Sequence, residues 1–460
     1  MSASSTLPHT YGPHLRATIL LGAPMVGTML AQIVMGVTDT IMLGWLGAAP
    51  LAASVLATQI FLILLLTGSG FAQAVVPLAA HALGAGDTTV LRRAVRMGFW
   101  VTTAYTLVVF PIMWFAEPIL LALGQEPALA KMADEYLAIA KWGFLPNLFI
   151  MVLRSYFGVV EKAHIVLATT LAAALLNGAL NYALIFGNWG VPAMGIEGAA
   201  YASLGSALVS MALLFAFTNW HPALAPHAIL KRFWRSDWVA FFEVLKVGWP
   251  IGVSILAEFG LFSMSAIMMG WFGTIALAAH GIVMQVISIA FMVPLGLSQV
   301  ATIRLGLAKG RGSAAEVTMA GRAVLIVGMG FATVITLLLV TAAAPMLSLF
   351  LDFKTPDADA ILAFAIPLLA VAAAFQMVDT LQVLAAGLLR GLKDTRVPMQ
   401  YALFSYWVIG IPAAYVLSQY TSLAALGVWL GLALGLTVAS VLGMWRYTSR
   451  ARLGLIKPQA

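Results

Sequence analysis

The chain has 460 residues, of which 62% are hydrophobic and only 9% are charged, and its formal net charge is +7. Soluble domains usually carry about 25% charged residues, so this composition excludes an ordinary soluble protein and indicates an integral membrane protein. The chain has no cysteine, which excludes disulfides and thiolate metal sites.

Apolar segments long enough to cross roughly 30 Å of hydrocarbon recur along the whole chain. They are continuous and do not alternate in polarity, which predicts an all-α integral membrane protein and excludes a β-barrel. Residues 1–16 are predicted to be a retained tail and not a signal peptide. The twelve predicted spans are residues 17–41, 51–80, 94–116, 136–158, 164–186, 196–219, 247–269, 276–303, 321–344, 360–386, 399–418 and 423–445.

Basic residues are distributed unevenly between the two sides of these predicted spans. If the amino terminus is cytoplasmic, 21 of the 24 Lys and Arg residues fall on cytoplasmic segments or helix ends. This asymmetry predicts an even number of crossings, with both termini in the cytoplasm. The excess of positive charge therefore belongs to membrane topology. The lipid bilayer is the expected partner, and nucleic acid is not.

The two halves of the chain contain an internal repeat. Residues 22–86 align without a gap on residues 248–312, with 19 identities in 65 positions. The copies start six predicted helices apart, so they face the same way across the membrane. This predicts two six-helix lobes related by a pseudo-two-fold axis along the membrane normal, an arrangement found among secondary transporters. The predicted organisation is a cytoplasmic tail (1–16), an amino-terminal lobe (17–219), a cytoplasmic linker (220–246), a carboxy-terminal lobe (247–445) and a second cytoplasmic tail (446–460).

Three acidic residues, Asp39, Glu258 and Asp379, fall inside predicted helices, where no Lys or Arg is expected at comparable depth. Ionisable residues in a membrane are costly and are functional candidates by default. Each acid alone is compatible with pairing to neighbouring polar groups or with a local water pocket. Three such acids together indicate that their negative charge is balanced by a proton, a metal cation or an organic cation that binds reversibly.

The repeat aligns Gln32 with Glu258, and Asp39 with Ser265. The acid therefore lies seven residues, or about 10 Å of helical rise, further along the helix in the first lobe. The two lobes are thus expected to differ in function. Asn177 and Asn181 lie one turn apart on the fifth predicted helix. They are expected either to ligate a cation or donor group beside Asp39 or to hydrogen-bond between helices.

The sequence lacks the motif that is typical of ATP-using proteins, and none of its predicted spans contains a motif of intramembrane proteases. It contains no GxxxxGK[ST] phosphate loop, which argues against direct use of ATP. It also contains no HExxH motif, and its GxGD sequence, residues 84–87, falls in the turn between two predicted spans and not inside the membrane, which argues against an intramembrane protease. We therefore expect that the protein is not an enzyme.

The stretches GVTDTIMLG around Asp39, LAEFGLFS around Glu258 and AFQMVDTLQVLAAGLLRGLKDTR around Asp379 resemble multidrug and toxic compound extrusion (MATE) transporters of the NorM type. The resemblance covers nearly the whole chain. It implies two lobes around a central cleft and export of cationic or amphipathic drugs in exchange for Na⁺ or H⁺, with no resident cofactor. It also implies a bacterial cytoplasmic (inner) membrane location, and we expect a monomer.

Specific residues take roles through this resemblance. Glu258 and Asp379 would form the coupling-ion site, a candidate Na⁺ site, in the carboxy-terminal lobe. Asp39 would form a proton or substrate site in the amino-terminal lobe. The residues expected to bind the substrate or line its cleft are Asp39, Asn177, Asn181, Gln32, Asp352, Phe291, Met284 and Gln285.

The chain departs from the family pattern at two positions. Phe291 stands where some members have a Tyr whose ring is thought to contact the cation. Asp352 matches an acid at the outer end of the cleft, but Phe353 replaces the second of two adjacent acids. The affinity for drugs at that outer rim is therefore expected to differ from the affinity in members that have both acids.

Two other functions compete with drug export. A flippase of lipid-linked precursors is a related transporter class, but a pyrophosphate cargo calls for Arg or Lys in the cleft. A membrane enzyme such as a prenyl transferase would use acid-rich motifs. The dense acidic run at residues 352–359 lies on the predicted outer rim, and its spacing is poor for that chemistry.

Overall fold

The computed structural model describes residues 10–348 and 358–456. Within these ranges the chain forms α-helices, three short 3₁₀ turns and one π-helical segment, and no strand occurs in them. The α-helices are α1 Tyr11–Gly44, α2 Ala48–Gly84, α3 Thr88–Trp114, α4 Ala116–Ala122, α5 Pro127–Ala140, α6 Phe144–Val159, α7 Ala163–Phe186, α8 Gly195–Trp220, α9 Trp238–Gly270, α10 Thr274–Gly310, α11 Ala314–Thr341, α12 Ala343–Ser348, α13 Ala358–Gly391, α14 Arg396–Leu403, α15 Ile411–Gln419 and α16 Ala425–Thr448.

Twelve stretches within the described ranges are long and apolar enough to cross a membrane. Ten of them are single helices. Another, Pro127–Val159, combines α5 with α6, and the last, Arg396–Gln419, combines α14 with α15. The prediction of an all-α membrane protein with twelve spans is therefore confirmed.

Most helices extend beyond the predicted spans. α2 and α10 each have 37 residues, which correspond to about 55 Å of helix, well beyond the hydrocarbon thickness. The prediction followed apolar residues only, whereas the helices continue through small and polar residues. They end just before Gly86 and Gly312, whose φ angles are 76° and 74°. Such left-handed backbone favours glycine.

The internal repeat is visible in the local structure. α2 and α10 have the same length and begin 226 residues apart, as do α3 and α11. The residues that cap α3 and α11 also correspond. The Asp87 carboxylate accepts hydrogen bonds from two backbone amides, and the Ser313 hydroxyl accepts one from the Glu316 amide. The repeat therefore preserves helix starts as well as sequence.

The described chain divides into two compact units. The amino-terminal unit comprises residues 27–252, and the carboxy-terminal unit comprises residues 10–26, 253–348 and 358–456. Leu137 and Phe144 are buried in the core of the first, and Leu369, Trp429 and Leu436 in the core of the second. The lobe and linker boundaries given above remain a prediction.

Within the amino-terminal unit, the backbones of α2 and the first part of α9 are in direct contact. A Cβ atom on Gly70 would lie 2.2 Å from the Gly252 nitrogen and 2.7 Å from the Gly248 carbonyl oxygen. A Cβ atom on Gly252 would in turn lie 2.5 Å from the Thr67 carbonyl oxygen. Small residues allow helices in membranes to approach this closely.

Gly70→Ala is therefore expected to destabilise the protein. The added methyl group meets backbone atoms, which cannot move aside as a flexible side chain can, so the cost should be about 1–3 kcal/mol. Thermal unfolding of the purified protein in detergent measures the effect. Gly330→Ala is the matched control, because a Cβ atom there meets nothing within 4 Å. Equal unfolding temperatures for the two variants would contradict the close packing.

Candidate functional site

In the carboxy-terminal unit, α13 presents a row of polar side chains on one face. Gln376, Asp379 and Gln382 are spaced three residues apart, so they lie close together on the helix. Asp379 is 1% exposed, and its Oδ1 has no hydrogen-bond partner among the described residues. The side-chain oxygens of both glutamines likewise lack a partner within the described chain. This face therefore carries three buried oxygens that are able to accept a hydrogen bond or to coordinate a cation, and the Asp379 carboxylate is also able to take up a proton.

Tyr406 joins these groups from the π-helical segment Phe404–Gly410 between α14 and α15. Its side chain is fully buried, and it lies beside Gln382 and interacts electrostatically with Glu258 and Asp379. Pro412 follows the segment and lacks the amide hydrogen that would bond to the Val408 carbonyl in a regular helix. Helical segments of this type are frequent at functional sites.

Glu258 lies on α9, and the adjacent backbone is tied to the same π-helical segment. The Trp407 ring nitrogen donates a hydrogen bond of 3.2 Å to the carbonyl oxygen of Ala257. Glu258 and Asp379 interact electrostatically with each other. The structure thus brings together the two acids that the resemblance assigns to one coupling-ion site. Two carboxylates that share a desolvated site require a positive charge or a proton.

A basic residue also reaches this cluster. Arg390, near the end of α13, interacts electrostatically with Glu258 and donates hydrogen bonds to Ser298 Oγ at 2.9 Å and to the Ala386 carbonyl at 3.3 Å. The expectation that no Lys or Arg lies at comparable depth is therefore wrong for Glu258. Arg390 is on α13 and Glu258 is on α9, so the sequence alone does not show that an arginine of one helix reaches the acid of the other.

In the amino-terminal unit, Asp39, Asn177 and Asn181 also come together. The Asn181 amide donates a hydrogen bond of 2.5 Å to Asp39 Oδ1 and one of 3.2 Å to the Asn177 side-chain oxygen. Both asparagines are 0% exposed, and Asn177 Nδ2 and Asn181 Oδ1 lack partners among the described residues. The cluster therefore combines one carboxylate with further donor and acceptor capacity.

Two further residues belong to this amino-terminal cluster and were missed in the sequence. Ser203 on α8 lies within hydrogen-bonding reach of Asp39, and the Tyr136 hydroxyl on α5 lies beside Ser203 and Thr58 and interacts electrostatically with Asp39. Ser203 is one of several small polar residues in α8, so the pattern does not single it out. Tyr136 stood at the first position of a predicted span, where aromatic residues are common for interfacial reasons.

Gln32 takes part in a separate contact. Its side-chain oxygen accepts a hydrogen bond of 3.0 Å from Arg154 Nη1 on α6. Gln32 and its repeat equivalent Glu258 therefore each interact with an arginine of the fourth span in their own half. A residue with left-handed backbone follows each of these helices, Glu161 after α6 and Lys393 after α13. Arg154 lies seven residues before Glu161, whereas Arg390 lies three residues before Lys393. The two arginines therefore differ by about one helical turn in their distance from the end of the helix.

The remaining predicted residues lie on α10 or outside the described chain. Met284 packs against the apolar core of the carboxy-terminal unit, Gln285 is exposed, and Phe291 is half-buried. Asp352 lies outside the described residues. Ser265, the repeat equivalent of Asp39, donates a hydrogen bond of 2.7 Å to the Phe262 carbonyl. The carboxy-terminal half therefore has a hydroxyl where the amino-terminal half has an acid.

The donor atoms define what these clusters are able to bind. In the described parts of the chain, no three His, Cys, Asp or Glu side chains are placed so that they could hold a metal ion together. Each cluster instead combines one or two carboxylates with neutral oxygens from amide or hydroxyl groups. Oxygen ligands with few charges suit a small hard cation or a proton, and they do not suit a transition metal.

Twelve apolar spans, a repeat that relates the two halves and buried acids in each half are features found together in membrane transporters. The MatE family model matches residues 24–183 and 250–416. The chain therefore belongs to the MatE family, whose members are transporters and not enzymes.

Curated relatives match almost the full length of the chain. It is 48% identical over 439 residues to the "Probable multidrug resistance protein NorM" of Rhizobium meliloti, which covers 95% of this chain and 94% of the relative. It is 44% identical over 429 residues to the protein of the same name from Agrobacterium fabrum, with coverage of 93% and 92%.

Solved structures show the same fold. A MOP superfamily transporter from Pyrococcus furiosus superposes with a TM-score of 0.86 at 20% identity and covers 98% of both chains. An outward-facing multidrug resistance MATE family transporter superposes with a TM-score of 0.85 at 20% identity and covers 97% of both chains. The expected family and fold are thereby confirmed.

Proposed function

We propose that the protein is a secondary active multidrug efflux antiporter that exports cationic or amphipathic drugs in exchange for Na⁺ or H⁺. The observation that carries the proposal is the Asp379 carboxylate. It is buried beside a second acid, Glu258, and one of its oxygens has no hydrogen-bond partner among the described residues. Curated relatives named as multidrug resistance proteins support drugs as the transported substrates.

The charge of this acidic pair suggests how exchange is coupled. Arg390 offsets part of the negative charge on Glu258, and a bound Na⁺ or a proton offsets the charge that remains on Asp379. The neutral oxygens of Gln376, Gln382 and Tyr406 supply the other ligands. Binding of the ion favours one conformation and binding of the drug favours the other, so an ion gradient biases the two populations.

The proposed setting is the bacterial cytoplasmic membrane, with a monomer as the transporting unit and both termini in the cytoplasm. The even number of candidate spans and the uneven distribution of Lys and Arg support this orientation. No resident cofactor is part of the proposal, because Na⁺ or H⁺ is transported.

Transport in proteoliposomes tests the proposal directly. The purified full-length chain is reconstituted, ethidium is supplied as a cationic cargo, and a Na⁺ gradient or a pH gradient is imposed separately. We expect one gradient to drive ethidium movement against its own concentration gradient, and collapse of that gradient by an ionophore to stop it. If neither gradient drives ethidium or a fluoroquinolone in active, correctly folded protein, the antiporter proposal fails.

Two arginines favour a second candidate, a flippase of lipid-linked precursors. Arg154 lies beside Gln32, and Arg390 interacts electrostatically with Glu258, a position at whose depth no Lys or Arg was expected. Arginine is well suited to bind a pyrophosphate group. A fluorescent lipid-linked pyrophosphate in the same proteoliposomes tests this candidate. Its ion-dependent translocation, without any ethidium transport, would favour the flippase over the drug antiporter.

A further inference from the structure

A basic cavity lies on the amino-terminal unit between the start of α3 and the segment that follows α8. It has a volume of about 560 Å³. Six cationic side chains line it, together with one carboxylate, Asp237, so that the lining carries an excess of five positive charges. The cationic residues are Arg92, Arg93, Arg96, Lys231, Arg232 and Arg235. None of them belongs to the acidic clusters described above.

The cavity is a built site and not a loose group of surface charges, because Arg96 is held in its wall. Arg96 is only 5% exposed, and its Nη1 donates a hydrogen bond of 3.1 Å to the carbonyl oxygen of Arg232. Its buried Nε has no hydrogen-bond partner among the described residues. A buried guanidinium with an unused donor is costly unless an acceptor is supplied.

Asp237 neutralises only part of the positive charge. It accepts hydrogen bonds from Arg93 Nε and from Arg93 Nη2, the latter at 3.1 Å, and it lies 3.8 Å from Arg96 Nη2. The hydrogen bond from Arg93 holds the pKa of the Asp237 carboxyl below its ordinary value, so it remains charged at neutral pH. One carboxylate shared between two arginines leaves the other four cations of the lining to face the cavity.

The backbone shapes the wall of the cavity. The cavity includes Thr89, in the first turn of the 27-residue helix α3, where the Asp87 carboxylate already accepts hydrogen bonds from the Thr89 and Val90 amides, so the attraction for an anion comes from the cationic side chains. Arg232 has a left-handed backbone, with a φ of 56°, and its carbonyl oxygen accepts the hydrogen bond from Arg96. The segment is further held by the Trp100 ring nitrogen, which donates to the Phe233 carbonyl at 3.1 Å.

Exposed aromatic residues next to the cavity indicate the source of the anion. Trp234 lies between two of the lining arginines and is 84% exposed, and Trp238 and Phe242 at the start of α9 are 59% and 58% exposed. Tryptophan side chains are enriched at the level of lipid head groups. Basic pockets at this level, between membrane helices, bind anionic lipid head groups.

We propose that this cavity binds the phosphate group of an anionic phospholipid from the adjacent leaflet. Arg96 and the neighbouring cations hold the phosphate oxygens, and the acyl chains lie along the exposed apolar side chains outside the cavity. The ligand chemistry is a phosphate ester, and its source is a lipid head group and not free phosphate. The proposal does not depend on which cargo or ion the protein transports.

Native mass spectrometry of the full-length protein tests the proposal. The protein is titrated with phosphatidylglycerol or with zwitterionic phosphatidylcholine. We expect phosphatidylglycerol to bind about tenfold more tightly or better, since each basic residue near anionic lipid contributes on the order of 1 kcal/mol. The combined variant Arg92→Gln, Lys231→Gln and Arg235→Gln should lose most of this preference.

The matched control removes the same number of charges elsewhere. Arg16, Arg396 and Arg452 are exposed and lie outside the cavity, so the combined replacement of these three by Gln should keep the preference. Equal loss in both variants would show that net charge alone attracts the lipid, and it would overturn the site. Equal binding of the two lipids to the unmodified protein would also overturn it.

A second measurement needs no variant. Lys231 is exposed, so we expect it to react with an amine-directed reagent, and bound phosphatidylglycerol should protect it at least several-fold more than phosphatidylcholine does. Millimolar inorganic phosphate is the third arm. If it protects Lys231 as well as the phospholipid does, the cavity takes free phosphate and the assignment to a lipid is wrong.

Discussion

Asp379→Asn is expected to reduce ion-driven ethidium export in proteoliposomes by about 5- to 150-fold, the range that corresponds to loss of a typical coupling free energy between two sites. Asparagine keeps the shape of the side chain but removes its charge and its capacity to take up a proton. The Asp379 side chain is 1% exposed and lies beside Glu258, so the change falls on the proposed ion site itself.

The same helix provides the control for this prediction. Asp359 lies in the first turn of α13 and is exposed, so Asp359→Asn removes an equal charge without touching the buried cluster. It should leave ion-driven export within about twofold of the unmodified protein, as expected for an exposed substitution away from a site. Reconstituted protein levels and unfolding temperatures are compared for both variants. Export by well-folded Asp379→Asn at the unmodified rate would refute its role in coupling.

The sequence predicted the twelve spans because hydropathy alone decides which segments cross a membrane. It predicted their ends less well, because helix ends depend on turns and caps. α2 runs to Gly84 through a stretch of alanines that hydropathy does not distinguish from an interfacial segment. The division of the fourth span into α5 and α6, and of the eleventh into α14 and α15, depends on local hydrogen bonding near prolines.

The acidic residues themselves were predictable, since a carboxylate inside an apolar helix is conspicuous. Asn177 and Asn181 were also predictable as a pair, because a spacing of four residues places them on one face. Tyr406 was not, because its approach to Asp379 depends on the π-helical segment. Arg390 was not predicted beside an acid, because the acid it interacts with is Glu258 on another helix.

The repeat helps to explain why the two halves differ. Position 32 is an uncharged glutamine that accepts a hydrogen bond from the Arg154 guanidinium, whereas the equivalent Glu258 is an acid that interacts electrostatically with Arg390. Seven residues further along, Asp39 binds Asn181, whereas the equivalent Ser265 is satisfied by its own helix. Each half therefore keeps one acid on the repeated helix but at a different depth. This arrangement supports two sites with distinct ligands.

If the amino-terminal site binds the drug, Asp39→Asn should weaken equilibrium binding of ethidium by about tenfold or more, the usual consequence of losing a hydrogen-bonded charge. In the unmodified protein the Asn181 amide donates a hydrogen bond to Asp39. In the variant, the new amide at position 39 would offer donor hydrogens of its own to Asn181. Fluorescence titration of the purified protein, without an ion gradient, measures the affinity. Asp379→Asn should stay within about twofold in the same titration, because loss of coupling need not change intrinsic binding at a separate site.

Asp39→Ser gives a second test of the same assignment, because it reproduces the residue found at the equivalent position 265. The serine hydroxyl still accepts a hydrogen bond from Asn181 but carries no charge, so ethidium affinity should fall as it does in Asp39→Asn. Retained affinity in both variants, together with lost export under a pH gradient alone, would instead assign Asp39 to the proton. The two results are mutually exclusive. The pair of variants therefore decides whether the two acids divide the cargo and the ion between them or both serve the ion.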